Sequence, residues 1–158
     1  MERDLEMSLV WDQRLTPATE CPTQARLPEE SSLNVVVIFT STEATIAALK
    51  RAGTMAENLG ANVTLVVPQV VPYPLPLTSP PILLDFQERR FCEIASKSPI
   101  ALRVRLYLCR DELETLKSVL TPHSLIVMGG RRRFWPTRES RLARKLQAGH
   151  EVIFTEVG

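Results

Sequence analysis

Between Arg131 and Lys145 the chain places Arg131, Arg132, Arg133, Arg138, Arg141, Arg144 and Lys145 around Trp135, with Glu139 the only acid among them. Guanidinium groups clamp phosphate through paired hydrogen bonds, and an indole face stacks on a base. This composition therefore has the chemistry for an anionic ligand, a combination also found at single-strand nucleic-acid sites. The same residues also read as a solvated loop and helix face balanced by acids elsewhere. Two small-residue segments accompany the cluster: Thr40, Ser41 and Thr42 offer hydroxyls and a helix start, and Gly129-Gly130 leads directly into the arginines.

Other chemistry-bearing residues are sparse. Cys21, Cys92 and Cys109 are odd in number, widely spaced and free of any CxxC pattern, which suggests neither a disulfide framework nor a zinc site and fits a reducing cytosol. His123 and His150 flank strand-like segments without metal spacing or a visible nucleophile, and read as turn residues. Cys92 and Cys109 read as small hydrophobes, with a redox role for Cys109 as the weaker alternative. The proline-rich Pro72-Tyr73-Pro74-Leu75-Pro76 has the extended geometry of a peptide ligand for an aromatic groove, and equally that of a stiff connection.

The elements that must position these residues follow from periodicity. Val35 to Phe39 is a run of β-branched and aromatic residues, as expected for a central strand buried on both faces. Thr40-Ser41-Thr42-Glu43 carries hydroxyl caps in a capping-box pattern, and Ala48, Leu49, Ala52, Met55, Ala56 and Leu59 recur at helical spacing before Gly60 caps the end. Val63 to Val67 is the next strand, parallel to the first through a right-handed crossover. Six prolines from Pro68 to Pro81 then predict an extended, exposed loop without regular structure.

Leu84, Phe91, Ile94 and Ala95 mark a second helix. Leu102, Val104, Leu106 and Leu108 alternate with Arg103 and Arg105, as in a strand near a sheet edge. Asp111 to Glu114 is another capping box, opening a helix with Leu113, Leu116, Val119 and Leu120 on one face. Leu125 to Met128 is a buried strand, Glu139 to Ala148 a short helix, and Val152 to Phe154 a last strand. Five strands alternating with four helices predict an α/β fold: a doubly wound, Rossmann-like parallel sheet with helices on both faces.

Length and composition bound the rest. At 158 residues and 44% hydrophobic the chain makes one ordinary core, read as a flexible tail over 1–33 and an α/β domain over 34–158. Within the tail, Leu9, Val10 and Trp11 form an apolar cluster, and Trp11 alternatively leads a short strand that docks on a neighbouring surface. A net charge of +1 excludes a globally basic nucleic-acid binder, so nucleic acid is not the expected partner. The acidic N-terminus lacks the basic start of a secretory signal and no apolar stretch spans a bilayer, which predicts a soluble cytoplasmic protein without membrane association.

In open α/β sheets ligands bind beyond the carboxyl ends of the strands where strand order reverses, which makes Thr40–Glu43 and Gly129–Arg133 the candidate site. Over residues 34–157 the chain resembles the universal stress protein family, which shares an adenine nucleotide alpha hydrolase-like architecture. The likeness lies in the strand, the turn at Thr40–Glu43, the alanine-rich helix ending in Gly60-Ala61, and the later Leu125-Ile126-Val127-Met128-Gly129 strand.

The resemblance implies ATP or another adenine nucleotide as cofactor, held by Thr40, Ser41, Thr42, Val67, Gly129, Gly130, Arg132, Ser140 and Arg141. It also implies a homodimer through the last strand, with Val152, Ile153 and Phe154 at the contact. Thr40 stands where family members that bind ATP carry an aspartate. In their G-x2-G-x9-G-[S/T] phosphate segment, Gly129 matches the first glycine, Arg132 takes the second position, and Ser140-Arg141 best replaces the closing pair. An arginine adds bulk where glycine lets backbone amides approach a phosphate. The expectation is therefore a non-enzymatic stress-response protein that acts by binding and dimerisation without conventional ATP cradling. The alternatives are an arginine-based nucleotide or anion binder, with weak ATPase activity, and an adaptor working through the proline loop or the tail.

Overall fold

A computed structural model of the chain describes residues 7–15, 34–73, 75–77, 84–97, 101–121, 124–131 and 136–157. Its strands are β1 (Met7–Leu15), β2 (Asn34–Ile38), β3 (Asn62–Val70), β4 (Leu102–Cys109), β5 (Leu125–Arg131) and β6 (Glu151–Val157). Its helices are α1 (Thr42–Leu59), α2 (Leu84–Ser96), α3 (Glu112–Val119) and α4 (Arg138–Leu146). The strands form one six-stranded sheet in the order β1-β4-β3-β2-β5-β6. All neighbours are parallel except β1, which runs antiparallel to β4.

Two expectations are corrected here. The sheet has six strands instead of five, and residues 7–15 of the expected loose tail belong to it. Leu9, Val10 and Trp11 carry apolar side chains to a strand edge, and β1 pairs along the whole of β4, from Met7 opposite Cys109 to Leu15 opposite Leu102. The alternation of β4 predicted a position near an edge, and β4 is second from it.

Strand β2 lies inside the sheet and alternates between two buried clusters. Val35 and Val37 join Ala48, Leu49 and Ala52 of α1 and Phe91 and Ile94 of α2, while Val36 and Ile38 join Leu116 of α3 and Leu142, Ala143 and Leu146 of α4. Successive strand side chains point to opposite faces, so the two helix pairs cover opposite faces of β2.

The proline segment begins later than expected, because β3 continues through Pro68 to Val70. Strand β2 pairs with β3 only as far as Val66, while β4 pairs on to Val70. Beyond Val66 one side of β3 is free, the kind of edge on which a residue without an N–H is tolerated. Tyr73 and Leu75 are exposed, as a stiff surface loop requires.

Helix ends follow local chemistry. Ser41 caps α1, its Oγ accepting from the Ala44 N–H at 3.3 Å. Glu43 therefore sits one position early for the reciprocal half of a capping box, and its carboxylate instead lies 3.6 Å from Arg131. Gly60 ends α1 at φ 63°, a left-handed conformation that favours glycine. Asp111 caps α3 by accepting from the Glu114 N–H at 3.0 Å, and Thr137 caps α4 by accepting from the Ser140 N–H at 3.1 Å. Among the described residues no helix is long and apolar enough to cross a membrane.

Candidate functional site

The chain places β3 on one side of β2 and β5 on the other, so strand order reverses at β2. Beyond the carboxyl ends of these strands lie three clefts that share Arg138. The first, about 320 Å³, is walled by Phe39 and Thr40 after β2, Val67 to Val70 of β3, Gln87 and Arg90 of α2, and Glu112, Glu139 and Leu142. The second, about 490 Å³, lies between Thr40, Ser41, Gly130, Arg131 and the start of α4. The third, about 450 Å³, joins Arg110 and the start of α3 to Arg141 and Lys145 of α4. Surfaces of this kind are where ligands bind in open α/β sheets.

Their charge is mixed with a basic excess. Arg90, Arg110, Arg131, Arg138, Arg141 and Lys145 face Asp111, Glu112, Glu114 and Glu139. Arg138 leans on Glu112, 2.8 Å from Nη2 to Oε2, with its side chain 76% exposed against 20% for the glutamate. A pair this open to water is held weakly, on the order of 1 kcal/mol or less. An incoming anion competes with that contact.

Arg90 is positioned more firmly. Its Nε and Nη2 both donate to Thr42 Oγ1, at 3.0 and 2.9 Å, and its guanidinium lies 4.6 Å above the Phe39 ring. Arg110 donates to the Val71 carbonyl at 2.9 Å and stacks 4.2 Å over Tyr73, which ties the proline loop to the end of β4. Gln87, 5% exposed, donates to Gln69 Oε1 at 3.0 Å, while its own Oε1 is buried without a partner among the described residues.

The residues picked out by sequence fall into three groups. Thr40, Ser41, Val67, Gly130 and Arg141 line the clefts. Thr42, Gly129 and Ser140 are used elsewhere: Thr42 receives Arg90, Gly129 accepts from Thr40 Oγ1 at 2.8 Å, and Ser140 donates its hydroxyl to the Thr137 carbonyl at 2.9 Å. Arg132, with Arg133, Trp135, His123 and Cys21, lies outside the described residues. His150 is half-buried, its backbone N–H donating to the Leu146 carbonyl and its Nδ1 buried without a partner among the described residues. Among the described residues no cluster of His, Cys, Asp or Glu is suited to a metal ion.

The two glycines have a packing reason. Gly129 passes directly under the first turn of α1, where a Cβ would run into the Ala44 carbonyl, and a Cβ on Gly130 would press on the Phe154 ring. Both lie within regular strand β5. Close approach of α1 accounts for Gly129, and the Phe154 ring of the neighbouring strand for Gly130.

Cys109 is buried at the end of β4, its Sγ 3.6 Å from the Gln69 carbonyl. Burial raises its pKa above the ordinary 9.0, against a lowering hydrogen bond with Thr115 and with smaller raising effects from Glu112 and Asp111. The thiol stays protonated at neutral pH, as a core residue should.

Arg90 and Gln87 were missed in the sequence. The available signal was Gln87 itself, four residues before Phe91 and seven before Ile94, a polar residue on the buried stripe of α2. Arg90 stands one turn on from Gln87 at the rim of that stripe.

The chain matches no protein-family model and no curated protein. Any functional reading therefore rests on the geometry above and on the order and spacing of the elements.

Proposed function

We propose that this chain is a universal stress protein-like binding protein of Rossmann-like, doubly wound architecture, which holds an anionic small molecule with arginine side chains instead of glycine backbone. The observation that carries the reading is the sharing of Arg138 among three clefts at the carboxyl ends of β2, β3 and β5, with Arg90 and Arg131 on the adjoining walls. Thr40 and Arg131, from the ends of β2 and β5, line the same cleft. A phosphate-bearing ligand fits these donors best, since guanidinium pairs match its geometry. The role is binding, cytoplasmic and non-enzymatic.

Mass spectrometry of ligand released from freshly purified protein tests the reading, together with titrations of ADP and pyrophosphate. Binding that weakens with added salt and is lost in Arg138→Gln supports it. Binding indifferent to both changes, or no binding, removes it.

A homodimer through β6 belongs to the same proposal. β6 is the outer parallel strand, and Val152, Ile153 and Phe154 on it are only half-buried. A free strand edge with apolar side chains is a pairing surface. Light scattering that gives the monomer mass at every concentration would remove the dimer.

A further inference from the structure

A row of ring contacts runs from the outermost strand to the first cleft. Trp11 on β1 stacks on Phe91 of α2, with centroids 5.6 Å apart and planes at 24°. Phe91 meets Phe39 edge to face at 6.1 Å, and the Arg90 guanidinium lies over the opposite end of the row, 4.6 Å from the Phe39 centroid. Phe39 and Arg90 both wall the first cleft. Phe91 is fully buried between Trp11 and Phe39, and close-packed interiors leave no slack to absorb a displacement.

We propose that strand β1 regulates the cleft: docking of Trp11 on Phe91 holds Phe39 and Arg90 in the position that receives the anion, and release of β1 lowers affinity. The proposal rests on the anion-binding reading above. Two features make β1 separable from the sheet. Among the described residues it pairs along one edge only, with β4, and its ion pair from Asp12 to Arg103 is partly open to water, the two side chains being 26% and 44% exposed. In addition, the Trp11 Nε1–H is buried without an acceptor among the described residues, so docking forfeits a hydrogen bond that water supplies to the released strand.

An edge strand held this way belongs to the low-stability end of a sheet, where regulatory elements are found. Linkage makes the effect reciprocal: the factor by which docked β1 raises ligand affinity is the factor by which bound ligand favours docking.

The test uses the full chain and reads Arg90 directly. The Arg90 Nε–H resonance is identified by its loss in Arg90→Lys and followed in Trp11→Ala, Trp11→Phe and Leu9→Ala. Leu9 is an exposed apolar residue of the same strand and serves as control. The expected result is a shifted Arg90 resonance in Trp11→Ala, with Trp11→Phe and Leu9→Ala like wild type. Pyrophosphate affinity should fall about tenfold in Trp11→Ala and stay within about twofold in the two controls. In the wild-type chain, pyrophosphate should slow amide exchange over residues 7–15 more than over β6.

An unmoved Arg90 resonance, or unchanged affinity in Trp11→Ala while Arg138→Gln loses binding, overturns the proposal and leaves the anion reading standing. If Trp11→Ala does not fold, the wild-type exchange experiment decides, and equal slowing at both edges overturns it. If wild type binds neither pyrophosphate nor ADP, the anion reading and the regulation of affinity both fall, and the resonance then reports only whether Trp11 positions Arg90.

Discussion

Thr40 Oγ1 donates a hydrogen bond of 2.8 Å to the carbonyl oxygen of Gly129, joining the end of β2 to the end of β5 across the point where strand order reverses. The Thr40 N–H is in turn received by the buried Thr45 Oγ1 at 3.2 Å. Thr40→Val should cost about 1 kcal/mol of stability, the usual net worth of such a bond. Thr40→Asp should cost more, since it sets a carboxylate against a carbonyl oxygen. Urea unfolding of both variants makes the comparison, and an aspartate variant as stable as wild type would show that the position accommodates a charge.

Gly129→Ala should be among the most damaging small substitutions in the chain, by roughly 1–3 kcal/mol or by failure to fold, because the new methyl meets backbone of α1 that cannot swing away. Gly130→Ala meets the Phe154 ring, a side chain that can turn, and should cost less. If these glycines served mainly as a ligand cradle, both variants would keep wild-type stability and lose only binding. Thermal melts beside titrations separate the two accounts.

Asp12 reaches Arg103 through two 2.7 Å hydrogen bonds and lies 3.6 Å from Arg105. Since the partners are about a quarter to a half exposed, Asp12→Asn should lower stability by no more than about 1 kcal/mol. The loss should shrink in molar salt, where exposed charges are screened. A deficit that persists in high salt would assign Asp12 a packing role instead.

Cys109 gives a pH prediction of definite sign. Its folded pKa is raised, so its contribution to stability is fully present below the ordinary value of 9.0 and is lost as pH rises through the folded value. In a Cys21→Ser, Cys92→Ser background, a thiol reagent at pH 8 should leave Cys109 unmodified until the protein unfolds. Rapid labelling of the folded protein would contradict its burial.

Much of the fold was legible because it rests on local pattern. The uniform apolar run of Val35 to Phe39 and the helical spacing from Ala48 to Leu59 each state how many faces an element buries, whereas the alternation of Leu102 to Leu108 suggested one exposed face and Tyr107 and Cys109 bury the second half of β4 on both. Strand β1 was obscured because Leu9, Val10 and Trp11 lie among charged residues, and its stability comes from pairing with β4, about 90 residues away in sequence, as the 91-residue separation of Asp12 and Arg103 shows.

The site was legible in part for the same reason. Thr40, Ser41 and Gly130 follow from strand ends and turn chemistry, whereas Val67 entered only through the family resemblance. Arg90 comes to the cleft only through the packing of α2, which its own sequence does not specify. Gly129 looked like part of a phosphate motif, and only the neighbouring Ala44 carbonyl supplies its packing reason.

Arginine side chains on the cleft walls, Arg138 foremost, are proposed to bind a phosphate-bearing anion. Isothermal titration of ADP into the wild-type chain and Arg138→Gln, at roughly 50 and 200 mM salt, tests it most directly. The account predicts wild-type binding that weakens several-fold at the higher salt and is lost or reduced about tenfold or more in the variant, the scale of a charge-assisted contact. Equal affinity in both proteins, unmoved by salt, would contradict it.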